Sequence, residues 1–221
     1  MQDFTWLSDK AHEHLDACTK TRDQVLAQAR TLTRHAAHAI RAIHRDETAL
    51  ARENLEKARN LVISLKASLG QFPELYYAGY SQDAIKEYVE ACLTLAFIKD
   101  EDLPMPEDLG VEYATYLNGL AEAATELRRR CLDILRQGYS QEAERLLGCM
   151  DEVYTLLVTL DYPDAVTGGL RRQTDLLRGV LERTRGDLTT SLREYHLQQV
   201  MSRLLDRLEM GENSLADDQS V

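Results

Sequence analysis

Apolar positions recur along this chain at three- and four-residue steps and almost nowhere alternate, the mark of helices rather than strands. From Phe4 to about His44 the stripe is Leu15, Cys18, Val25, Leu26, Ala29, Leu32, Ala36, Ala39, Ile40 and Ile43, with no Pro or Gly among them. One long helix, or two that abut, is predicted there. Asp46-Glu47-Thr48 reads as a break, after which Leu50, Leu55, Ala58, Leu61, Val62, Leu65 and Leu69 form a second stripe. Gly70 and Pro73 end it.

Ser81 is predicted to cap the next helix, with Asp83 in its first turn, and this helix runs to about Lys99. Pro104 and Pro106 enforce a loop before a helix from about Glu107 to Arg136. Gly138-Tyr139-Ser140 precedes a helix to about Leu160, and Pro163 with Gly168-Gly169 makes the next turn. A helix to Thr184, a break at Gly186 and a last helix to about Met210 complete the pattern. The expected fold class is all-α: a single domain over residues 1–210 of about seven helices, followed by an acidic, disordered tail over 211–221.

Composition narrows this picture. Pro (4) and Gly (11) are too few for a β sandwich or barrel with many turns. The longest apolar run, Leu93 to Ile98 with Thr94 allowed, falls far short of the roughly 20 residues of a membrane span. Met1-Gln2-Asp3-Phe4 has neither the basic region nor the apolar run of a secretory signal. Cys18, Cys92, Cys131 and Cys149 are widely spaced, without a Cys-x-x-Cys pair. Reduced thiols and a cytoplasmic location are expected.

Net charge is −11, which by itself argues against a nucleic-acid partner, yet the charge is unevenly placed. Residues 1–59 carry ten Lys/Arg and nine Asp/Glu, residues 60–127 three against twelve, and residues 128–207 thirteen against twelve. An acidic middle therefore separates two near-neutral flanks. Arg outnumbers Lys by 20 to 6, and the Arg fork suits bidentate phosphate contacts. Arg30, Arg34, Arg41 and Arg45 fall along one stripe of the first helix, and Arg171, Arg172, Arg178, Arg183 and Arg185 follow the Gly-Gly turn. Such stripes suit a nucleic-acid backbone, although solvated helix faces carry Arg as well. Tyr76, Tyr77 and Tyr80 are the nearest aromatic candidates for stacking.

Within the acidic middle, Glu87 and Glu90 are three apart and Glu122 and Glu126 four apart, so each pair shares a helix face. Two helices facing each other would gather four carboxylates, and such a group calls for a hard cation such as Mg²⁺ or Mn²⁺. Two such ions polarise a phosphodiester and activate water. Spacing alone favours an ordinary solvated face. A di-iron bundle needs Glu-x-x-His on two helices, and no histidine has Glu three residues before it. His35-x-x-His38 lacks a Cys or carboxylate partner and reads as polar surface. Phosphate-cradling glycine motifs are absent.

The order of blocks resembles a known family. Arg30-Thr31-Leu32-Thr33-Arg34 through Ile43-His44-Arg45, then Glu87-Tyr88-Val89-Glu90-Ala91 to Phe97-Ile98-Lys99, then Tyr116-Leu117-Asn118-Gly119-Leu120-Ala121-Glu122 with Glu126-Leu127, are similar to the translin/Trax superfamily. The likeness is to its Trax branch and to prokaryotic members of it. It spans roughly residues 20–205 and is most specific in the two middle blocks. It implies a seven-helix fold that assembles into a hollow, often octameric homo-oligomer and binds single-stranded RNA or DNA. Trax-type subunits are Mg²⁺-dependent endoribonucleases, and the resemblance carries their acidic residues onto Glu87, Glu90, Glu122 and Glu126. Two positions depart from the pattern: Glu122 stands where Asp is usual, and Ala84 where an acidic residue is often found. The expected function is metal-dependent endoribonuclease action on short single-stranded RNA. A non-catalytic nucleic-acid-binding protein and a helical scaffold are the alternatives.

Overall fold

A computed structural model describes residues 4–70 and 72–217, with side chains through residue 208. Among the described residues the chain is all-α, with no strand. Six helices are long: α1 (Thr5–His44), α2 (Thr48–Ser68), α4 (Gly79–Lys99), α6 (Tyr113–Leu135), α7 (Gln141–Leu157) and α9 (Leu170–Asp217). Three are single turns between them: α3 (Pro73–Tyr76), α5 (Pro106–Leu109) and α8 (Asp164–Thr167).

The long helices are ordered by how much apolar surface each must hide. α4 is apolar nearly all round, burying Ala84, Ile85, Tyr88, Val89, Leu93, Leu95 and Phe97 among others, so it takes the centre. It packs on α1 on one side and α6 on the other. α6 in turn packs on α7 and α9, while α2 closes against α1. One apolar cluster runs from Val25 on α1 to Leu188 on α9. α1 is buried only from Val25 onward; Phe4, Trp6, Leu7 and Leu15 at its start are exposed.

Gly119 sets the approach of the two central helices. A Cβ there would sit 2.7 Å from Val89 Cγ1 and 3.1 Å from the Lys86 carbonyl oxygen. Any side chain would push α6 off α4, and the residues one and two turns beyond Gly119 are Glu122 and Glu126. The expected α1–α2 break is present, and Asp46 turns it at φ 58°. The Asp46 carboxylate accepts two hydrogen bonds from Arg130 on α6, pinning the turn to the bundle.

Three boundary expectations need correction. Ser81 does not cap α4: the helix starts two residues earlier, and the buried Ser81 hydroxyl donates to the Leu75 carbonyl at 2.7 Å. The helix expected from Glu107 to Arg136 is split, because Gly110 adopts φ 65° and ends α5 before α6 begins. Gly186 does not break α9. Leu181 and Leu188 on either side are buried in the same core, and that burial outweighs the roughly 1 kcal/mol a helical Gly forfeits against Ala. Ser140, by contrast, does cap α7, its Oγ accepting from the Glu142 amide. The backbone of α9 continues to Asp217; the remaining residues of the expected tail, and its side chains, lie outside the described residues.

The four cysteines are free thiols, Cys131 buried and the others half-buried. Among the described residues no helix is long and apolar enough to cross a membrane.

Candidate functional site

The parallel run of α4 beside α6 brings both acidic pairs to one place. Thr115 on α6 donates to Gln82 on α4, and Lys86 one turn later on α4 reaches Glu122. The charges of the neighbouring carboxylates are felt at Glu90 and Glu87. Glu90 is pushed up to about 8, first by burial and then by the charges of Glu122, Glu87 and Glu126, with Lys86 opposing. Glu87 is raised as well, by burial and the Glu122 charge ahead of the opposing Lys86. Glu87, Glu90 and Glu122 therefore do not form the solvated faces that spacing alone favours; all are partly buried.

Two carboxylates are engaged by protein partners. Glu122 Oε1 accepts from Lys86 Nζ and from Gln173 Nε2 of α9, each at 2.7 Å. Glu126 Oε1 lies 2.6 Å from His44 Nε2, and the His44 side chain is almost fully enclosed. His44 Nδ1 is buried without a hydrogen-bond partner. Burial works against the Lys86 charge, but its bond to Glu122 and the charges of Glu122, Asp83 and Glu87 outweigh it and raise its pKa. Glu87 and Glu90 have no hydrogen bond or ion pair among the described residues. As the side chains stand, no group of three or more His, Cys, Asp or Glu among the described residues is placed to hold a metal ion. Glu122 is turned to Lys86 and Gln173, and Glu126 to His44. The donor set, four crowded carboxylates with one lifted to about 8, nonetheless suits a hard divalent cation.

Sequence reasoning missed Lys86, Gln173 and His44 as members of this cluster. Lys86 adjoins Glu87 and His44 lies in a quoted block, but nothing in the spacing signals that they point at carboxylates 36 and 82 residues away. Ala84, where the resemblance expects an acidic residue, is buried against the core.

The arginines divide. Arg30, Arg34 and Arg41 on α1 and Arg45 just past its end are all exposed, with no ion pair among the described residues. At 3.6 residues per turn they lie within about 60° of one another, on the flank next to His44. The group after the Gly-Gly turn is split. Arg172 faces a groove of about 900 Å³ between α4, α6, α8 and the start of α9, which Lys86 and Gln173 also line. Arg171 and Arg178 flank a separate depression with Tyr154 and Tyr162, and Arg178 pairs with Asp175 at 3.4 Å. Arg185 is tied to Asp151 and Glu182. Of the three candidate stacking rings, Tyr76 is buried, Tyr80 half-buried, and only Tyr77 is exposed. His35 bonds Asn54 Oδ1 at 3.0 Å and joins α1 to α2, a packing role.

No family model matches the chain. It is 34% identical over 186 residues to the uncharacterised protein MJ0175 of Methanocaldococcus jannaschii, covering 83% of this chain and 82% of that one. Among solved structures it is similar to AfC3PO in a complex with duplex RNA, at 33% identity and TM-score 0.78, over 84% of this chain and 96% of that chain. AfC3PO alone gives 32% identity and the same TM-score, over 84% and 97%. Apo-NeC3PO, at 21% identity and TM-score 0.75 over 83% and 96%, shares the fold. With blocks, fold and relatives in agreement across most of its length, the chain belongs to the translin/Trax superfamily, among its C3PO proteins.

Proposed function

We propose that this protein is a homo-oligomeric, metal-dependent endoribonuclease acting on short single-stranded RNA, with single-stranded DNA as a further ligand. The observation that carries the reading is the crowding of Glu87, Glu90, Glu122 and Glu126 at the α4–α6 contact, where Glu90 is lifted to about 8. A carboxylate without a protein donor, as Glu90 is, gains nothing structural from that position, whereas a cation-binding one does. The four glutamates would hold Mg²⁺ or Mn²⁺, which supplies charge neutralisation at the phosphodiester and a more acidic water. The chain's own part is to keep the cluster partly dry, to orient Glu122 through Gln173 and Glu126 through His44, and to draw the strand in along the α1 arginines. Nucleic-acid binding is further supported by the likeness to AfC3PO, which is solved with duplex RNA. A hollow shell, octameric by resemblance, would let several subunits share one strand.

One observation favours a second reading. Lys86 already pairs with Glu122 and His44 Nε2 already hydrogen-bonds Glu126, as they would in a member that binds without cutting. Labelled single-stranded RNA incubated with Mg²⁺ separates the two. Cleavage by the wild type that is lost in Glu90→Ala, with binding retained, is expected. Binding without cleavage in either Mg²⁺ or Mn²⁺ would leave only the second reading.

A further inference from the structure

We propose that the groove beside Glu122 is a nucleotide subsite, in which an unstacked base lies on Tyr77 and the adjoining phosphate pairs with Arg172. The inference rests on the nucleic-acid reading above and names where one nucleotide of the strand is held. The groove is the right size: about 900 Å³, inside the range of small-ligand clefts. Its lining is the combination a nucleotide needs. Tyr77 is 65% exposed and Leu176 53%, large apolar faces left uncovered in a wall that also carries cations. Arg172 is exposed and has no ion pair among the described residues.

Tyr77 is also held in place. Its ring packs against Tyr76 at 5.0 Å and 80°, and Tyr76 is itself fixed by its hydroxyl bond to Glu112. A braced ring that stays open is a stacking platform that needs little ordering when a base arrives. The charges give the nucleotide a direction. Asp83 on α4 and Glu112 at the start of α6 also line the groove, where they repel phosphate but accept from the amino groups of a base edge. The phosphate therefore belongs at Arg172, on the α9 side. Lys86 and Gln173 line the groove and bond Glu122, so the next phosphate along the strand meets the carboxylates. An unpaired base can leave its stack to lie on such a platform, as a base inside a duplex does not, so the groove suits single strands.

The test is binding in EDTA, so that no cutting intervenes, to a fluorescent oligoadenosine RNA of about 10 nucleotides, within the usual site sizes. Tyr77→Ala should weaken binding about ten-fold, a typical loss for one stacked base. Tyr77→Phe should bind like the wild type, and the Tyr77→Ala deficit should vanish on an abasic oligomer. Arg172→Ala should weaken both oligomers and shallow the salt dependence by about one phosphate. If Tyr77→Ala binds the normal RNA as tightly as the wild type, or loses as much on the abasic one, the subsite is wrong while RNA binding stands. If Tyr77→Ala instead changes the oligomer size by light scattering and leaves base dependence intact, the groove is a contact between copies, and the inference fails. Absence of RNA binding by the wild type would overturn the functional reading and this subsite together.

Discussion

Replacing Glu90 with Gln should make the protein more stable at alkaline pH and leave it nearly unchanged at acid pH. Glu90 sits among Glu87, Glu122 and Glu126 with Lys86 as the nearby counter-charge, and its pKa rises from 4.5 to about 8. In the unfolded chain the same group releases its proton near the ordinary value. Between those two values the folded state binds more protons than the unfolded one, so Glu90 subtracts stability progressively as pH rises. The full gap corresponds to about 5 kcal/mol at ~1.36 kcal/mol per pH unit. Relaxation toward solvent and Lys86 should leave on the order of 3 kcal/mol. Gln keeps the shape and the neutrality of protonated Glu90 at every pH. Thermal unfolding at fixed protein concentration, compared at about pH 5 and about pH 9, reads the difference. Each kcal/mol moves the midpoint of a chain this size by about 2–4 °C. Glu90→Gln should therefore melt about 6–12 °C above the wild type at the higher pH and within about 2 °C of it at the lower. Added Mg²⁺ should narrow the alkaline gap by stabilising the wild type, under the proposed metal role. A gap of equal size at both pH values would refute the burial-and-crowding account of this carboxylate.

Gly119→Ala should destabilise by about 1–3 kcal/mol through overpacking against Val89, offset in part by ~1 kcal/mol of helix propensity. A double-mutant cycle with Val89→Ala should return a coupling of that order, and additive effects would mean the close approach does not matter. Gly186→Ala should stabilise by about 0.5–1 kcal/mol, since a Cβ there meets nothing within 4 Å; a loss in denaturant melts would place a break in α9 after all. Lys86→Met should melt earlier than the wild type in EDTA and recover more with Mg²⁺. If the ion leaves that deficit unchanged, Lys86 is not the cluster's counter-charge. Arg34→Ala should weaken RNA binding and lower the salt slope by about 0.7–1, measured by titration at several ionic strengths; an unchanged slope would remove the α1 stripe from the strand path.

What was legible in the sequence follows the range of the interactions. Periodicity located every long helix because a buried stripe is written every three or four residues, as at Val25, Ala29, Leu32 and Ala36. Gly110 and Gly186 depart from expectation in opposite directions: Gly110 ends α5 by adopting φ 65°, while Gly186 continues α9 because Leu181 and Leu188 share a core, which only the folded chain shows. The two carboxylate pairs were legible because helix geometry fixes which residues share a face. Their meeting was not legible from spacing, only through the family resemblance, since it depends on Gly119 meeting Val89 across twenty-nine intervening residues. Lys86, His44 and Gln173 stayed hidden because each reaches its carboxylate from a different helix.

Those three partners bear on how the site works as a unit. Lys86 and Gln173 converge on one oxygen of Glu122, while His44 takes one oxygen of Glu126. That leaves Glu87 and Glu90 as the carboxylates without protein donors, and Glu90 is the one whose charge is most suppressed. Burial, like charge and the lack of a donor act on the same residue, so under the proposed metal role Glu90 would respond most to a cation. Lys86 would compete with such a cation, because both would answer the same carboxylates. Freed from Glu122, its ammonium would face the groove that holds Tyr77 and Arg172, where a phosphate would be its next partner. Charge neutralisation in the cluster and grip on the strand would then be coupled through one lysine. A glutamine or methionine at position 86 should uncouple them, leaving RNA binding in the groove insensitive to whether the carboxylates are neutralised.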